Sequence, residues 1–193
     1  MCGIVGAVLN SGSAVAPVLH EGLRRLEYRG YDSVGIATLF EGGIEFKKDA
    51  GKIAEVHARL DLDDLPGSVG IGHTRWATHG NPSKVNAHPH FDCSRSISLV
   101  HNGIIENFLE LKQELLDRGH MFESKTDTEV IAHLVEAEYA KTGSLEEAVL
   151  AAASRLQGSY AVAVMCAKEP DRIVLARNES PLVIGIGTDG LYC

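Results

Sequence analysis

The second residue of the chain is a cysteine, and its position gives it a chemistry that its type alone would not. A cysteine at the start of an apolar strand is usually a small buried hydrophobic residue. If Met1 is removed, however, Cys2 carries both a thiol and a free α-amine. An α-amine has a pKa of about 8, so it can accept the proton of its own thiol at neutral pH. Cys2 is therefore a candidate nucleophile, with a buried structural cysteine as the alternative.

The dipeptide Asn102-Gly103 follows an apolar run and has two interpretations. Asn-Gly favours a type I′ hairpin turn, but the residues after it have the periodicity of a helix rather than of a returning strand. The alternative is an oxyanion hole, in which the Asn carboxamide and the Gly N–H are two neutral donors at a strand end. Loss of one such donor typically raises a barrier by about 3 kcal/mol.

Arg75 and Asp127 could together bind the two charged ends of an α-amino acid. A guanidinium fork in a loop suits bidentate binding of a carboxylate, and an aspartate can hold an ammonium group. Each residue also has an ordinary alternative. Arg75 could be a surface arginine, and Asp127 could be an acid in the first turn of a helix, where the dipole favours it.

Five of the nine histidines lie between residues 73 and 101, which raises the question of a metal site. His73 and His79, like His88 and His90, lack the i, i+4 spacing of a helical zinc motif, and no carboxylates are regularly interleaved. We therefore expect these histidines to bind backbone or substrate groups and to form the wall of a substrate pocket, without a metal. The fifth histidine of the group is His101.

Gly185, Gly187 and Gly190 match the dinucleotide pattern G-x-G-x-x-G after a predicted strand. No helix pattern and no acidic residue follow at the spacing that nucleotide binding requires. The pattern therefore predicts a glycine-rich turn.

The 193 residues carry a net charge of −8 and are 45% hydrophobic, which predicts one folded domain. The acidic excess argues against nucleic acid and against a polybasic membrane surface as partners. No apolar run approaches the roughly 18 residues of a membrane helix, and the N-terminus lacks the positive start of a signal peptide. Because the four cysteines are scattered, we expect neither a disulfide framework nor a zinc ribbon, and we expect a reducing cytoplasm.

The order of predicted elements favours an α+β fold. Strands occur in hairpin-like groups with helices clustered between them, so helices should cover the outer sides of the sheets. Residues 75–95 have no periodicity, and a loop of that length is usually functional. Two helices should begin at the capping boxes Thr126-x-x-Glu129 and Ser144-x-x-Glu147. The predicted strands cover 3–9, 34–40, 44–48, 68–74, 96–101, 159–166, 172–177 and 182–187, and the predicted helices cover 14–28, 52–60, 105–118, 126–141 and 144–156.

Seven motifs occur in an order that resembles a known family. They are MCGIVG, RRLEYRGYDS, HTRWATHG, NAHPH, VHNGIIEN, SKTDTEVIAHL and SPLVIGIG. Together they resemble the glutaminase domain of the glutamine–fructose-6-phosphate aminotransferase family, over essentially the whole chain. The N-terminal CGI with a later Asn-Gly would alone indicate only the wider class II of amidotransferases with an N-terminal nucleophile.

The resemblance implies a four-layer α-β-β-α sandwich with Cys2 at the edge of a central sheet. It implies that Cys2 is the nucleophile with its own amine as base, and that Asn102 and Gly103 form the oxyanion hole. Arg75 would bind the glutamine carboxylate and Asp127 the α-ammonium. The remaining implied site residues are Thr78 and His79 lining the glutamine site, Trp76 on a loop that closes over it, and Arg29 and His88 as supporting residues.

The implied reaction is hydrolysis of glutamine to glutamate and ammonia through a Cys2 thioester, with no metal or organic cofactor. The ammonia would aminate fructose 6-phosphate on sugar isomerase domains of the same polypeptide, and a homodimer would form only at full length. Residues 1–193 would then be a glutaminase domain without its last strands. Two alternatives stay open: a non-catalytic glutamine-binding or interaction fragment, and the glutaminase domain of another enzyme such as amidophosphoribosyltransferase.

Overall fold

A computed structural model describes residues 2–10, 12–76 and 79–193. The first of two antiparallel sheets has six strands, in the spatial order Gly43–Ala50, Ser33–Phe40, Val69–Arg75, Gly3–Leu9, Gly190–Tyr192 and Gly185–Ile186. Gly3 and Ile4 of the first strand pair with Thr74 and His73 on one side, whereas on the other side the ladder with Gly190–Tyr192 covers only the last residues of the strand, Ala7 to Leu9. The strands are β1 (Gly3–Leu9), β2 (Ser33–Phe40), β3 (Gly43–Ala50), β4 (Val69–Arg75), β9 (Gly185–Ile186) and β10 (Gly190–Tyr192).

The second sheet has four antiparallel strands, which lie side by side in chain order from His90–Phe91 to Glu169–Asn178. Its inner face packs on the first sheet through a buried cluster that includes Ile71 and Val69 of the first sheet and Val100 and Met165 of the second. The strands are β5 (His90–Phe91), β6 (Ile97–Gly103), β7 (Tyr160–Cys166) and β8 (Glu169–Asn178).

Helices cover both outer faces. Leu19 and Leu23 of the first helix pack with Ile36 of the first sheet, and Leu134 of the fourth helix packs with Leu99 of the second sheet. The layers are therefore helix, sheet, sheet, helix, and the predicted α+β sandwich is confirmed. Within the described ranges, no helix is both long and apolar enough to cross a membrane. The helices are α1 (Ala16–Leu26), followed by a 3-10 turn (Glu27–Arg29), α2 (Ile53–Leu60), α3 (Phe108–Asp117), α4 (Glu129–Thr142) and α5 (Leu145–Ala153).

One of the two predicted capping boxes is wrong. Helix α4 begins at Glu129, and Thr126 does not cap it. The Thr126 hydroxyl instead lies 2.9 Å from Ser124 Oγ and 3.2 Å from His90 Nε2. Because it hydrogen-bonds with these side chains, it does not cap the helix. The second box is formed in part, since Ser144 Oγ accepts the backbone N–H of Glu147.

The predicted strand over 182–187 is also shorter than expected. Only Gly185–Ile186 pairs, with Leu191 and Tyr192 of β10. Val183 and Ile184 are exposed, so no buried face extends the strand toward its N-terminal end. The residues between β9 and β10 form the predicted glycine-rich turn, in which the Gly187 N–H donates to the Gly190 carbonyl.

The segment before β5 crosses β2 very closely at Gly35. Lys48 Nζ donates to the carbonyls of Ala87 and Pro89 at 2.8 and 2.7 Å and so holds this segment against the first sheet. A Cβ at Gly35 would lie 2.1 Å from the His88 carbonyl oxygen. Only a residue without a side chain allows this crossing.

We expect Gly35→Ala to lower the free energy of unfolding by about 3 kcal/mol, because the added methyl group overpacks the crossing. Gly43→Ala is the matched control, since the nearest atom to its Cβ is 3.6 Å away, and it should change stability by less than about 0.5 kcal/mol. Urea unfolding of the two variants and the wild type measures the difference. Equal stability of both variants would contradict the prediction.

Candidate active site

Strand pairing fixes the position of Cys2. Because β1 and β4 are antiparallel and Gly3 faces Thr74, Cys2, which directly precedes β1, lies opposite Arg75, the last residue of β4, and next to Trp76. The Trp76 backbone N–H donates to Cys2 Sγ at 3.1 Å, and the thiol lies 3.5 Å from the Trp76 carbonyl oxygen. The sulfur is thus held by the backbone of the neighbouring strand.

Burial raises the pKa of the Cys2 thiol, although the Trp76 N–H and the Arg75 charge act in the opposite direction. At neutral pH the sulfur is therefore mainly a protonated thiol. A nucleophilic role requires a base that removes this proton as the sulfur attacks.

The backbone oxygen of Cys2 is held as well. Asn102 Nδ2 donates to it at 3.1 Å, and Arg29 Nε donates to it at 3.2 Å. Since an amide nitrogen carries two hydrogens, Asn102 keeps a second donor for another acceptor. Cys2, Arg29 and Asn102 lie together on the wall of one cavity of about 300 Å³, whose other lining residues are Trp76, Gly103, Ile104, Ser180 and Pro181.

The hairpin interpretation of Asn102-Gly103 does not hold, because both residues are still paired with β7. Asn102 faces Ala161 and Gly103 faces Tyr160 in the ladder. Gly103 has φ +128°, and a Cβ there would lie 2.0 Å from the Ser159 carbonyl oxygen. The strand end therefore requires glycine at this position, beside the cavity.

His73 orients the side chain of Asn102. Its Nε2 lies 3.0 Å from both the His101 carbonyl oxygen and Asn102 Oδ1. Both are acceptors, so Nε2 carries the proton, and burial lowers the pKa of His73 to about 3, which keeps the ring neutral. This role was missed by sequence reasoning. The signal was the i, i+2 spacing of His73 and Arg75, which places both on one face of β4.

The other predicted pocket histidines require a correction. His88, His90 and His101 are buried, and none of them lines the described cavity around Cys2. His88 Nε2 and His101 Nδ1 share the Thr128 hydroxyl at 3.1 and 2.9 Å. Burial lowers the pKa of all three, so they are neutral supports behind the site.

Arg75 is a buried cation at the end of β4. Its Nη2 donates to the carbonyls of His79 and Gly80, while its buried Nη1 has no hydrogen-bond partner within the part of the chain that the structure describes. Burial lowers the Arg75 pKa, and the carboxylates of Asp127 and Asp32 oppose that shift. A buried cationic N–H without an acceptor is costly, so this nitrogen points to an anionic ligand.

Asp127 is held at the start of the turn that leads into α4. Its Oδ2 accepts the Ile105 N–H at 2.9 Å, and its Oδ1 lies 3.9 Å from His79 Nδ1. The side chain is buried, with 5% exposed. One carboxylate oxygen is thus fixed, and the other faces the stretch after β4.

The structure therefore brings most of the predicted site residues into two adjoining groups. Cys2, Arg29, Trp76, Asn102 and Gly103 surround the cavity. The second group consists of Arg75, His79 and Asp127. It adjoins the cavity because Arg75 directly precedes Trp76, which lines the cavity. Trp76 is 45% exposed and packs edge-on against Tyr31. Predicted residue Thr78 lies outside the described residues.

Comparisons with known proteins all identify relatives that are glutamine amidotransferases or glutamine-dependent aminotransferases by name. Residues 73–192 match the family described as "Glutamine amidotransferase domain". The glutamine–fructose-6-phosphate aminotransferase (isomerizing) of Pyrococcus horikoshii is 57% identical over 192 residues, covering 100% of this chain and 32% of that protein. The protein of the same name from Bordetella pertussis is 55% identical over 191 residues, covering 97% and 31%. The chain thus spans about a third of the length of these relatives.

Two solved structures have the same fold. Glutamine phosphoribosylpyrophosphate amidotransferase from B. subtilis, complexed with ADP and GMP, aligns with a TM-score of 0.83 and 28% identity, covering 100% of this chain and 41% of that one. A glutamine aminotransferase class-II domain protein from Silicibacter pomeroyi aligns with a TM-score of 0.67, covering 100% and 87%, and at 14% identity shows the fold alone. Since the family match covers more than half of the residues, this chain belongs to the glutamine amidotransferase family.

Proposed function

We propose that this chain is the glutaminase domain of a glutamine–fructose-6-phosphate aminotransferase and hydrolyses glutamine through a thioester on Cys2. The observation that carries this proposal is the backbone-held sulfur of Cys2, 3.1 Å from the Trp76 N–H, in one cavity with the Asn102 carboxamide. The relatives at 57% and 55% identity support the aminotransferase over a phosphoribosylpyrophosphate amidotransferase, whose structure is 28% identical.

The first step is attack of Cys2 Sγ on the side-chain carboxamide of glutamine. With Met1 removed, the Cys2 α-amine accepts the thiol proton as the carbon–sulfur bond forms. The π electrons of the carbonyl move to its oxygen, which the second N–H of Asn102 Nδ2 and the Gly103 N–H stabilise. Because Arg29 and Asn102 both hold the Cys2 carbonyl, the nucleophile needs little reorientation.

The second step releases ammonia. The carbon–nitrogen bond breaks, and the protonated α-amine gives its proton to the departing nitrogen. Water then attacks the thioester, the carbon–sulfur bond breaks, and glutamate leaves with the thiol restored. Trp76 stands at the cavity wall, where closure over the substrate would exclude bulk water from the thioester and the ammonia.

Recognition of the amino acid falls to the second group of residues. The unpartnered Arg75 Nη1 is suited to the α-carboxylate of glutamine, and Asp127 Oδ1 to its α-ammonium. We propose His79 and Thr78 as further lining residues, and His88 as a support acting through Thr128.

The use of the ammonia is inferred from the relatives, which are about three times as long as this chain and are aminotransferases by name. We propose that residues 1–193 are the glutaminase domain of a longer polypeptide whose sugar isomerase domains use the ammonia to convert fructose 6-phosphate into glucosamine 6-phosphate. The homodimer would form in that full-length enzyme. We place the reaction in the reducing cytoplasm, because Cys2 must stay a thiol and the four cysteines are free.

Activity should depend on removal of Met1. With Met1 attached, the free α-amine belongs to the wrong residue, and we expect no measurable glutamate release. Treatment of such protein with a methionine aminopeptidase should restore activity in proportion to the loss of one methionine in the intact mass. Full activity at the unprocessed mass would rule out the α-amine as the base.

Cys2→Ala should reduce glutamate release by a factor of about 10³ or more, because the nucleophile is lost. Cys193→Ala is the matched control, since its thiol is also partly buried and is not part of the proposed machinery, and it should keep the wild-type rate. A glutamine analogue with an electrophilic side chain should add once to the control by intact mass and not to Cys2→Ala. Processed wild-type protein that binds glutamine but releases no glutamate would instead support the non-catalytic binding module.

Asp127→Asn should lower kcat/KM for glutamine about 10- to 100-fold, because it removes a charge-assisted contact to the α-ammonium. Asn keeps an oxygen for the Ile105 N–H, so the local fold should persist. The control is the substrate 4-carbamoylbutanoate, which is glutamine without its α-amino group. With that substrate, wild type and Asp127→Asn should be nearly equal in a coupled ammonia assay. An equal loss of kcat/KM with both substrates would show that Asp127 does not act through the α-ammonium group, and would contradict the prediction.

A further inference from the structure

We propose that Cys93, His120, His133 and Glu136 bind one divalent transition-metal ion of the zinc type, at a site separate from the glutamine cavity. We call these four residues the α4 cluster. Cys93 Sγ lies 3.5 Å from His133 Nδ1 and 3.7 Å from His120 Nδ1. Glu136 Oε2 lies 2.8 Å from His120 Nδ1 and 3.2 Å from His133 Nδ1. The four ligand atoms are all within 4.8 Å of one another.

These separations agree with those around a tetrahedral ion. Zinc bonds of about 2.3 Å to sulfur and about 2.0 Å to nitrogen or oxygen place sulfur and nitrogen ligands about 3.5 Å apart and nitrogen and oxygen ligands about 3.3 Å apart. The two sulfur distances and the His133–Glu136 distance match these values. Of these four distances, only that between His120 and Glu136 must open, by about 0.5 Å.

The cluster is built from three separate parts of the chain. His133 and Glu136 are three residues apart on α4 and therefore project from one face of the helix. Cys93 comes from the turn between β5 and β6, and His120 directly follows Gly119, which ends the α3 region with φ +90°. Convergence of two imidazoles, a thiol and a carboxylate from three segments is not a product of local sequence.

The chemistry of the ligands selects the class of ion. A thiolate with two imidazoles suits Zn²⁺ and similar ions, whereas Mg²⁺ and Ca²⁺ require oxygen ligands. All four tetrahedral positions are supplied by side chains, which is typical of a structural rather than a catalytic site. Cys93 is exposed while His133 is buried, so an ion can enter from solvent and be held at the base of the site.

A buried carboxylate lies near the second nitrogen of His133, just beyond hydrogen-bond distance. Glu129 Oε1 lies 3.6 Å from His133 Nε2, on the side away from the cluster. Glu129 is itself fixed by the backbone N–H groups of Glu123 and Ser124, at 2.8 and 2.6 Å. Metal-binding histidines commonly face a carboxylate through the second ring nitrogen, which sets the tautomer that leaves Nδ1 free to coordinate.

Binding would replace hydrogen bonds with metal bonds. The ion would displace the thiol proton of Cys93 and any proton on the two Nδ1 atoms that now point to Glu136. It would then tie the turn after β5, the end of the α3 region and α4 together. The segment between His120 and α4 carries Asp127, so the ion would stabilise the part of the site that we assign to recognition of glutamine.

The competing explanation is a metal-free network in which Glu136 accepts hydrogen bonds from both histidines. Cobalt distinguishes the two, because Co²⁺ bound by a thiolate gives a sulfur-to-metal charge-transfer absorption that a hydrogen-bonded network cannot give. Titration of the reduced 193-residue chain with Co²⁺ should give this band, saturating at one equivalent, with the visible absorption of a tetrahedral ion. Zn²⁺ should displace the Co²⁺ and raise the Tm of the protein.

Cys93→Ser and His120→Gln should each abolish the stoichiometric tetrahedral spectrum and the Zn²⁺-dependent rise in Tm. Two variants serve as controls and should bind like wild type. Cys193→Ser removes a different thiol, and His57→Gln disrupts the group formed by His20, His57 and Asp63, which contains no thiol. Urea unfolding in the presence of a chelator verifies that each variant is folded. A charge-transfer band that persists in Cys93→Ser, or no retention of Co²⁺ or Zn²⁺ by folded wild type, would overturn the proposal.

Discussion

The pairing of β1 with β4 is the constraint on which the site depends. Residues near the end of a chain ordinarily fray, because they have few partners. Here the ladder with β4 begins at Gly3, directly after Cys2, and the Trp76 N–H donates to the Cys2 sulfur. On the other side β10 pairs with β1 only from Ala7 to Leu9, so β4 is the strand that holds our proposed nucleophile.

A second constraint is the relative position of the two sheets, which depends on a polar layer between them that includes His73 and Asn102. The oxyanion donor that we propose, Asn102, is the second-last residue of β6 in one sheet, while Cys2 directly precedes β1 in the other. Something between the sheets must set the distance and orientation of the two, and His73 does so from β4 by binding Asn102 Oδ1. A neutral imidazole suits this position, because a buried charge without a partner would be far more costly than a buried dipole.

The polar layer carries a cost in stability. Two of its buried polar atoms, His73 Nδ1 and Ser98 Oγ, have no hydrogen-bond partner among the described residues. An apolar filling of the same space would avoid that cost, but it could not hold Asn102. Functional sites commonly keep such local departures from the best packing. The helix-covered outer faces, where Leu19 and Leu134 are fully buried, supply the apolar burial that offsets it.

The sequence predicted the parts of this arrangement that local patterns encode. Strand ends are visible as the limits of apolar runs, so Cys2 and Asn102 could be placed at strand ends before the structure was known. The capping role of Thr126 was mispredicted because its partners, Ser124 and His90, include a residue 36 positions away. For the same reason the α4 cluster could not be found from spacing, since its ligands come from three segments and only His133 and Glu136 are near neighbours.

A division between the two groups of site residues follows from where they lie. The proposed reacting groups stand at the ends of regular strands, since Asn102 and Gly103 are paired with β7 and Cys2 directly precedes β1. The proposed recognition groups depend on irregular segments, since the carbonyls of His79 and Gly80 hold Arg75, and Asp127 precedes α4. Strands hold the proposed reacting groups in fixed positions, whereas connecting segments can change conformation when a substrate binds. An ion at the α4 cluster would brace the segment that carries Asp127, so its influence would reach the binding of glutamine rather than the nucleophilicity of Cys2.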